Sequence, residues 1–486
     1  MSSGVKAVSV DKGGTVSDTA IPDASKDGYT FLYWKNGDEI FDFGLSVNEN
    51  VVLTPVYQAN TYTLSFEGLS ETKTVTFNLE IGDLPRIEKQ AGKEVFWCID
   101  GVRINQFTVW NGTENKTATV GTNDVISLNS FQGQGLDLVS KIVNDYLSLT
   151  EESEIAAYLF DTKNSAGSNP VEFSWRNLSG DNTMRFTVLV ASDAEFKNVE
   201  YMGTTSYNTL YVYNLTPGVH YWKVVCSNGI ISETDFFEIT NTLREIYCGN
   251  VVNMRDEGGY QTEFGKIKYG LAYRSTAINS GSADATAVKV LVDQLKVKTE
   301  LDLRRDVSGL TAPDNNITYY QYGIVQHDFI FPNLNPNRPY SKSYTAALKQ
   351  GLMLFTDISN YPIVFHCTSG ADRTGTFAFI LGGLLGMSYE DLVRDYEITS
   401  FYKGARWRSN IIVSDGVCTF DPSGVFMDNE INLCDFDKMY RHVMDAYGTG
   451  DGKLVSAVVN YLKTVVGLTD SNIEDIRSIM IEGYGD

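Results

Sequence analysis

The sequence predicts a multidomain chain in which two small β modules, a helical connector and a β-sandwich precede a mixed α/β domain. Three observations support this prediction. The 486 residues are too many for one hydrophobic core. Before about residue 240, outside a short helical stretch near residues 136–160, the apolar runs are short, alternate with polar residues and end in Gly, Pro or Asn turns. Beyond it, strand-like runs alternate with segments of helical spacing, as in α/β domains.

The first 130 residues contain an internal repeat with a period of about 64 residues. Residues 28–37 align with residues 92–101, and each segment is an aromatic strand followed by a predicted hairpin turn, Asn36-Gly37 or Asp100-Gly101. The strand-like residues 62–66 align with residues 5–10. We therefore predict two β modules, residues 1–58 and a diverged copy at residues 59–130.

The motif Gly-Tyr-Thr-Phe-x-x-Trp at residues 28–34, followed by Thr-Tyr-Thr-Leu-Ser-Phe at residues 61–66, resembles the β-grasp-like repeats of bacterial surface proteins of the internalin B-repeat type. The resemblance implies a stalk or an adhesive module that binds cell-surface or extracellular ligands. A spacer without a ligand is equally consistent with the pattern.

Residues 131–162 are predicted to be a helical connector, because residues 136–147 and 151–160 carry apolar side chains at helical spacing. Residues 163–240 show short alternating strands, as in a β-sandwich. Trp175 and the run Leu-Thr-Pro-Gly-x-x-Tyr at residues 215–221 resemble a fibronectin type III domain. Trp175, Leu215 and Tyr221 are expected in its core, and His220 at an exposed position without chemistry.

Residues 241–486 contain the stretch that carries the predicted chemistry. The apolar run 362–365 ends at His366-Cys367, and an apolar, Gly-rich run follows at residues 376–387, which predicts a strand, a tight loop and a helix. Amide groups at a helix N-terminus favour an anion and would hold Cys367 as a thiolate. Arg373 can turn its guanidinium towards the same anion. The predicted phosphate-binding residues are Thr368, Ser369, Gly370, Ala371, Asp372 and Arg373.

His-Cys-x5-Arg-Thr-Gly, at residues 366–375, resembles the phosphate loop of bacterial cysteine-dependent protein tyrosine and dual-specificity phosphatases. The same order of motifs continues the resemblance: Asn-x-Arg-Asp-x-Gly-Gly at 253–259, Tyr-Arg-Ser at 273–275, Asp-Leu-Arg at 302–304 and Asp-Tyr-Glu at 395–397. It implies a mainly parallel sheet flanked by helices and a phosphocysteine mechanism without a cofactor.

Each reacting group in such a mechanism has a candidate. Cys367 is the expected nucleophile, and the hydroxyl of Thr374 lies where it could donate to the sulfur. The leaving oxygen needs a proton donor. Asp372, inside the loop, is the preferred acid by the resemblance, and Asp328 is the alternative because a mobile acid loop often falls there in tyrosine phosphatases. His366 orients the loop or is simply a structural histidine.

Other polar residues near these motifs have supporting roles. Asp302 and Arg304 are expected to brace the loop from a neighbouring strand, and Arg255 and Asp256 to form a structural salt bridge. Ala371 stands where related loops often carry a lysine that favours multiply charged substrates, so the phosphoinositide interpretation is weakened. Three cations after the Asp-Tyr-Glu motif either supply charge near the pocket or form a solvated face: Lys403, Arg406 and Arg408.

Composition excludes several other classes of function. A net charge of −22 and a pI near 4.6 leave no basic face for a nucleic acid. The apolar run 377–387 is too short to span a membrane. Six scattered cysteines without a Cys-x-x-Cys pair and only four histidines indicate neither a zinc site nor a catalytic metal.

The sequence thus predicts a phosphomonoesterase that acts on phosphorylated proteins or on other phosphomonoesters. A phosphoinositide or inositol-phosphate phosphatase is the alternative within enzymes, and a surface adhesin with an inactive phosphatase domain is the alternative outside them. No leader is visible in residues 1–4. The front modules favour the surface or exterior of a bacterium, and a cytoplasmic location stays open.

Overall fold

The computed structural model describes residues 6–161, 167–305, 307–325, 329–335, 340–402, 411–414, 417–420 and 435–485. Asp328, Lys403, Arg406 and Arg408 lie outside these residues. The chain divides into two compact units. One contains Met1–Leu128 with Arg176–Met184 and Cys226–Glu233, and the other contains Asn129–Trp175, Arg185–Val225 and Thr234–Asp486.

The first unit begins with a small antiparallel sheet of order β2-β1-β3. Its strands are β1 (Tyr29–Asn36), β2 (Glu39–Ile40) and β3 (Leu53–Ala59). The hairpin between β1 and β2 forms one residue later than predicted, because Asn36 still pairs with Glu39 and the turn is Gly37-Asp38. Gly37 has a φ of 58°, which a tight hairpin needs at this position.

A five-stranded sheet of order β5-β4-β8-β6-β7 follows in the same unit. The strands of this region are β4 (Thr61–Phe66), β5 (Thr72–Thr76), β6 (Lys93–Ile99), β7 (Val102–Ile104), β8 (Lys116–Asp124) and β9 (Ile126–Leu128). The predicted turn Asp100-Gly101 joins β6 and β7 with both residues at positive φ. Residues 6–10, aligned with β4 in the predicted repeat, form no strand, so the two copies differ at this edge.

The second unit opens with a β-rich region. Its strands are β10 (Gly135–Leu136), β11 (Val171–Asn177), β12 (Phe186–Ala191), β13 (Val199–Thr205), β14 (Thr209–Val212), β15 (Gly218–Cys226) and β16 (Asp235–Ile239). Five of them form a sheet of order β10-β16-β15-β12-β13, and β11 pairs with β14. Trp175 and Leu215 are buried as predicted.

The register of β15 reverses two sequence predictions. His220 is buried, its Nε2 lies 2.6 Å from the Thr216 oxygen, and its ring stacks on Phe237. Tyr221, expected in the core, is half-buried on the opposite face. Successive side chains of a strand point to opposite faces, and the larger Trp222 takes the core position, so His220 shares its face.

Two short helices, α1 (Lys141–Leu147) and α2 (Glu152–Asp161), follow β10. The first helix was predicted to begin near residue 136. It begins later because Gly135 and Leu136 pair in parallel with β16 instead.

The remainder is organised around a sheet of order β17-β20-β23-β21-β22. The strands of this region are β17 (Arg255–Asp256), β18 (Gln261–Thr262), β19 (Gly265–Lys266), β20 (Ala272–Ser275), β21 (Thr299–Asp302), β22 (Thr318–Gln321), β23 (Ile363–His366), β24 (Ile411–Ser414) and β25 (Val417–Phe420). The strands β20, β23, β21 and β22 run parallel, and only β17 is antiparallel at one edge. The sheet is mainly parallel, as predicted.

Helices surround this sheet. They are α3 (Ala285–Lys289), α4 (Lys342–Met353), α5 (Asp372–Leu385), α6 (Tyr389–Ile398), α7 (Asp435–Tyr447), α8 (Leu454–Tyr461) and α9 (Asp470–Met480). All residues of α5 from Thr374 to Leu385 are buried, which is the environment expected of a helix that is apolar on every side. Within the described residues, no helix combines the length and the apolar character that crossing a membrane requires.

Candidate active site

The site lies at the carboxyl edge of β23, the central strand of the sheet. Cys367 follows this strand directly, and the register places Ser275 of β20 and Asp302 of β21 on either side of His366. The carboxyl ends of three parallel strands therefore meet where the predicted nucleophile leaves the sheet. This edge is the usual ligand-binding position of an open α/β sheet.

The loop from Cys367 to the start of α5 is held from its outer side. The carbonyl oxygens of three consecutive loop residues accept hydrogen bonds from donors on neighbouring segments. The pairs are Ala277 N with Thr368 O (3.3 Å), Asn253 Nδ2 with Ser369 O (3.2 Å) and Gly370 O (3.1 Å), and Arg274 Nη2 with Gly370 O (2.9 Å). Because the C=O and N–H of one peptide group point in opposite directions, the following N–H groups turn to the inner side. An inward ring of N–H groups can hold an anion.

Gly370 is required by this arrangement. Its φ is +66°, and a Cβ atom built on it would lie 2.5 Å from the main-chain oxygen of Ser275. A larger residue would therefore have to push the loop away from β20, which also supplies the Arg274 bond to the Gly370 oxygen.

Cys367 is only 3% exposed, yet the pKa of its thiol lies below the ordinary cysteine value. Burial opposes ionisation. It is outweighed by hydrogen bonds from the side chain and main chain of Thr374, by the charge of Arg373 and by the amide of Ser369. The loop therefore favours a thiolate, which is the nucleophilic form of cysteine.

Thr374 lies in the first turn of α5 and is fully buried. Its Oγ1 forms no hydrogen bond of regular geometry with any of the described residues. Its effect on the pKa of Cys367 therefore comes from its nearness to the sulfur and not from a hydrogen bond of regular geometry. The hydroxyl favours the thiolate, and its role in the departure of the sulfur stays a prediction.

Asp372 and Arg373 begin α5, and both are half-buried at the mouth of the loop. The main-chain oxygen of Asp372 accepts a hydrogen bond from Thr376 Oγ1 at 2.8 Å, as in a regular helix. The charge of Arg373 is near enough to lower the pKa of Cys367, and Asp372, the preferred acid, is its neighbour in the same helical turn. Asp328, the alternative acid, lies outside the described residues.

His366 is fully buried beneath the loop. Its Nδ1 lies 3.0 Å from the main-chain oxygen of Cys367, and its Nε2 lies 2.8 Å from Glu300 Oε1. A carbonyl oxygen only accepts, so Nδ1 carries a proton. Burial lowers the pKa of His366, but the hydrogen bond and charge of Glu300, the charge of Asp302 and the contact with the Cys367 carbonyl together outweigh it, so the net shift is upward. His366 therefore holds the main chain of the nucleophile and does not face the pocket.

Asp302 and Arg304 form a bidentate pair beside His366. Arg304 Nε donates to Asp302 Oδ1 at 2.9 Å and Nη2 to Oδ2 at 2.6 Å, and Tyr319 OH donates to Oδ2 at 2.9 Å. Arg304 Nη2 also reaches Asn279 Oδ1 at 2.6 Å. The guanidinium is engaged by protein groups, which is consistent with the predicted bracing role.

Glu300, Asp302 and His366 are the described residues whose ligand atoms approach closely enough to suggest a metal site, within 4.8 Å of one another. Most of their ligand atoms already have hydrogen-bond partners, although Glu300 Oε2 has none among the described residues. Both imidazole nitrogens and both Asp302 oxygens have protein partners. Arg304 also places a positive charge against the trio, and that charge disfavours a cation. The trio is a hydrogen-bonded network that supports the strand ends.

A buried charge cluster behind the loop was not among the predicted site residues. Asp395 accepts from Arg255 Nε at 2.5 Å and pairs with Arg274 Nη1. Burial would raise the pKa of Asp395, but the two guanidinium groups lower it below the ordinary value. Because Arg274 also donates to the Gly370 oxygen, the charge cluster helps to hold the phosphate loop in place. The sequence signal for it was Arg274 directly after the apolar run Leu271-Ala272-Tyr273.

Arg255 and Asp256 do not form a salt bridge with each other, so that prediction is wrong. Arg255 is paired with Asp395, and Asp256 accepts from Arg244 Nη1 at 2.9 Å. Adjacent residues of a strand point to opposite faces, so Arg255 and Asp256 cannot meet. Both still have structural partners, as predicted.

Asn253 is a second supporting residue that sequence reasoning did not single out. Its Nδ2 donates to the oxygens of Ser369 and Gly370, and its Oδ1 accepts from Arg255 Nη1 at 2.6 Å. Its φ of 55° is a conformation that asparagine tolerates better than most residues. The first residue of the Asn-x-Arg-Asp motif thus joins the loop to the charge cluster.

Residues 246–482 match the sequence profile of the tyrosine phosphatase family. The C-terminal region is a tyrosine phosphatase family domain. Its curated relatives include the OCA1 proteins of Meyerozyma guilliermondii and Scheffersomyces stipitis, whose names class them provisionally as tyrosine-protein phosphatases. The first is 28% identical over 92 residues, 19% of this chain and 48% of the relative. The second is 27% identical over 146 residues, 28% of this chain and 69% of the relative.

Two solved structures are similar to parts of this chain, with low TM-scores. One is the core catalytic domain of the PP-IP phosphatase SIW14 from S. cerevisiae in complex with citrate, 20% identical over 31% of this chain and 78% of that chain, with a TM-score of 0.21. The other is TpbA of P. aeruginosa, 19% identical over 28% of this chain and 81% of that chain, with a TM-score of 0.19. The chain spans about half the length of the OCA1 relative from Meyerozyma guilliermondii. It spans 69% of the second OCA1 relative, 78% of the SIW14 chain and 81% of the TpbA chain.

Proposed function

We propose that the chain hydrolyses phosphomonoesters, as a protein tyrosine or dual-specificity phosphatase that forms a phosphocysteine intermediate. One observation carries this proposal: the loop carbonyls are bonded outward, so the loop amides face inward around a cysteine of lowered pKa. The match of residues 246–482 to the tyrosine phosphatase family supports the same reaction.

In the first step, the Cys367 thiolate attacks the phosphorus, an S–P bond forms and the P–O bond to the leaving group breaks. The inward amides and Arg373 hold the three non-bridging oxygens, whose charge is stabilised most strongly in the transition state. Asp372 gives a proton to the leaving oxygen, so that an alcohol or phenol departs in place of its anion.

In the second step, water attacks the phosphocysteine and loses a proton to Asp372. The S–P bond breaks, and inorganic phosphate and the Cys367 thiolate are released. The Thr374 hydroxyl, beside the sulfur, stabilises the thiolate as it leaves. No cofactor takes part in this scheme.

The first test is hydrolysis of para-nitrophenyl phosphate in the presence of a chelator, with wild type compared with Cys367→Ser. We expect full wild-type activity with the chelator and a loss of at least about 10⁴-fold in the variant, since the nucleophile is removed. Equal rates for the two proteins would reject the proposal, and so would inactivation by the chelator.

The second candidate is an inositol-phosphate or phosphoinositide phosphatase, and SIW14 is named a PP-IP phosphatase. Cations at the pocket are needed for such substrates, and Ala371 offers none in the loop. The sequence cations Lys403, Arg406 and Arg408 are the alternative source. Relative kcat/KM values on phosphotyrosine peptides, phosphoserine peptides and inositol phosphates separate the two candidates.

For residues 1–240 we propose β-grasp-like repeats, a fibronectin type III-like sandwich and a location outside or on the surface of a bacterial cell, with extracellular ligands. The aromatic repeat motif and the run at residues 215–221 support this assignment. A binding protein with an inactive phosphatase domain would need a cysteine without catalytic properties, and the lowered Cys367 pKa counts against it. Cell fractionation of the source organism with an antibody to the chain tests the location.

A further inference from the structure

The helices α1 and α2 precede the tyrosine phosphatase domain by about 100 residues, yet they pack directly against its α6. The two segments share one buried apolar cluster, whose members include Val143, Tyr146, Ile155, Leu159, Ile398 and Phe401. The helix α2 also lies beside β25. The helical pair is therefore part of the surroundings of the catalytic domain and not a free linker.

A buried hydrogen bond joins α1 to α6. Tyr146 OH donates to Glu397 Oε2 at 2.7 Å, and the two residues are 2% and 0% exposed. Glu397 lies two residues after Asp395, the acceptor of the charge cluster behind the phosphate loop. The bond therefore holds the end of α6 that carries Asp395.

A second contact lies on the Arg255 side of the Arg255–Asp395 ion pair. Glu245 Oε2 accepts from the main-chain N and the Oγ of Ser140, at 2.9 and 3.0 Å, and Glu245 Oε1 accepts from Tyr402 OH at 2.7 Å. The main chain of Glu245 forms a β-bridge with Arg255. The connector thus binds two carboxylates, that of Glu245, whose main chain pairs with Arg255, and that of Glu397, two residues after Asp395.

If the contact of α1 and α2 with α6 only fixed these segments together, the buried apolar cluster would be sufficient. Buried carboxylates are costly unless they are hydrogen-bonded, and removal of a partner leaves them uncompensated. Glu397 lies two residues from Asp395 on α6, and Glu245 pairs through its main chain with Arg255. The two carboxylates therefore anchor the main chain that carries the Arg255–Asp395 pair, and Asp395 in turn pairs with Arg274, which bonds the Gly370 oxygen. Thr399, one residue beyond α6, also lies 3.4 Å from Asn253 Nδ2.

We propose that Tyr146 and Ser140 are positioning residues of the phosphate loop. Through Glu397 and Glu245 they fix the Arg255–Asp395 pair, and this pair fixes the loop whose amides stabilise the Cys367 thiolate. The catalytic part of this inference rests on the proposed function, but the state of the thiol can be measured without turnover.

The test compares Tyr146→Phe with the matched control Tyr158→Phe. Both changes remove one tyrosine hydroxyl from the helical pair, and Tyr158 OH bonds Ile142 O at 3.0 Å and Asp145 Oδ2 at 3.4 Å, both within α1. Alkylation of Cys367 by iodoacetamide is followed by mass spectrometry as a function of pH, with and without inorganic phosphate. Steady-state kinetics on para-nitrophenyl phosphate supply kcat and KM.

We expect Tyr146→Phe to raise the apparent pKa of Cys367, to weaken protection by phosphate and to lower kcat by about two- to thirtyfold, the range of coupling seen for residues that act through others. The control should match wild type. Ser140→Ala should repeat the effect in a weaker form, because the main-chain bond to Glu245 remains, and it replaces Tyr146→Phe if that variant does not fold.

An unchanged thiol pKa and kcat in folded Tyr146→Phe would overturn the inference, and so would an equal fall in Tyr158→Phe. If wild type hydrolyses no phosphomonoester, the proposed function fails by itself. The alkylation profiles would still decide whether the connector positions the loop.

Discussion

Ionisation of Cys367 depends on donors from its own loop and on the first turn of α5, since burial alone would keep the thiol protonated. The adjacent His366 supports the main chain from below and does not compete for the substrate. Cys367, Arg373 and Thr374 are close because the eight successive residues 367–374 turn from a strand into a helix. At the scale of single residues, the chemistry of the site is therefore local in sequence.

The identity of the acid is the first prediction at this scale. We expect Asp372→Asn to lower kcat by about 10²- to 10⁴-fold on alkyl phosphates such as phosphoserine peptides, since an alkoxide needs the proton most. The loss should be smaller on para-nitrophenyl phosphate, whose leaving group is stable as an anion. The measurement is kcat on both substrates.

The matched variant for this prediction is Asp328→Asn. If Asp328→Asn loses more kcat on alkyl phosphates than on para-nitrophenyl phosphate, and Asp372→Asn does not, the acid is Asp328. The preferred assignment is then wrong.

At the scale of elements, the phosphate loop is shaped by contacts from β20 and from the segment around Asn253. We predict that Gly370→Ala lowers kcat/KM by at least about 10²-fold, because the new methyl group would meet the Ser275 oxygen at 2.5 Å and displace the amides from the anion. Kinetics on para-nitrophenyl phosphate and circular dichroism measure the effect.

Gly281→Ala is the control for this change. Gly281 also has a positive φ, +85°, but a Cβ atom there would meet nothing within 4 Å. It carries the same backbone strain without the clash, so its activity should stay near that of wild type. A similar loss in both variants would show that strain, and not the loop contact, is responsible.

The buried Glu257 beside Arg274 makes the free energy of unfolding depend on pH. Burial and the neighbouring Asp395 raise the pKa of Glu257 to about 8. The folded state thus binds a proton that the unfolded state releases near its ordinary pKa of about 4.3. The stability from the protonated form is complete below that value, and it is lost progressively as the pH rises through the window up to about 8.

We therefore expect Glu257→Gln to flatten the decline in stability of the tyrosine phosphatase domain between pH 5 and 8, by an amount on the order of a few kcal/mol. Hydrogen exchange of α5 peptides is the suitable measurement, because a chain with two compact units need not unfold in one step. The exposed Glu474→Gln is the control and should keep the wild-type slope. A wild-type slope in Glu257→Gln would contradict the prediction.

At the scale of the whole molecule, the chain carries a net charge of −22. Long-range repulsion should slow the approach of acidic substrates, and salt screens such repulsion beyond about 8 Å at physiological ionic strength. We predict that kcat/KM for an acidic phosphotyrosine peptide rises by about two- to fivefold between 20 and 150 mM salt.

A phosphotyrosine peptide with basic flanking residues is the comparison for this prediction, and its kcat/KM should fall over the same range. A fall for both peptides would indicate that local cations around the pocket, rather than the net charge, control association.

The sequence by itself determined the reacting groups. Cys367, Arg373 and Thr374 lie within one strand-loop-helix turn, and local spacing suffices to place residues that are neighbours along the chain. The mainly parallel sheet was expected because the ordered motifs of residues 253–397 resemble those of the tyrosine phosphatases. The faces of β15 were assigned wrongly, since a strand with apolar side chains at adjacent positions does not reveal which of them is inward until the opposing sheet selects Trp222.

Only the tertiary structure decided what holds the loop. Asn253, Arg274 and Asp395 are separated from Gly370 by up to about 120 residues, and their pairing depends on strand register and on the docking of α6. The partners of Arg255 and Asp256, and the contact of Tyr146 with Glu397, depend on the same packing. Spacing along a chain specifies chemistry that is local, whereas buried charges find their partners only when distant segments fold together.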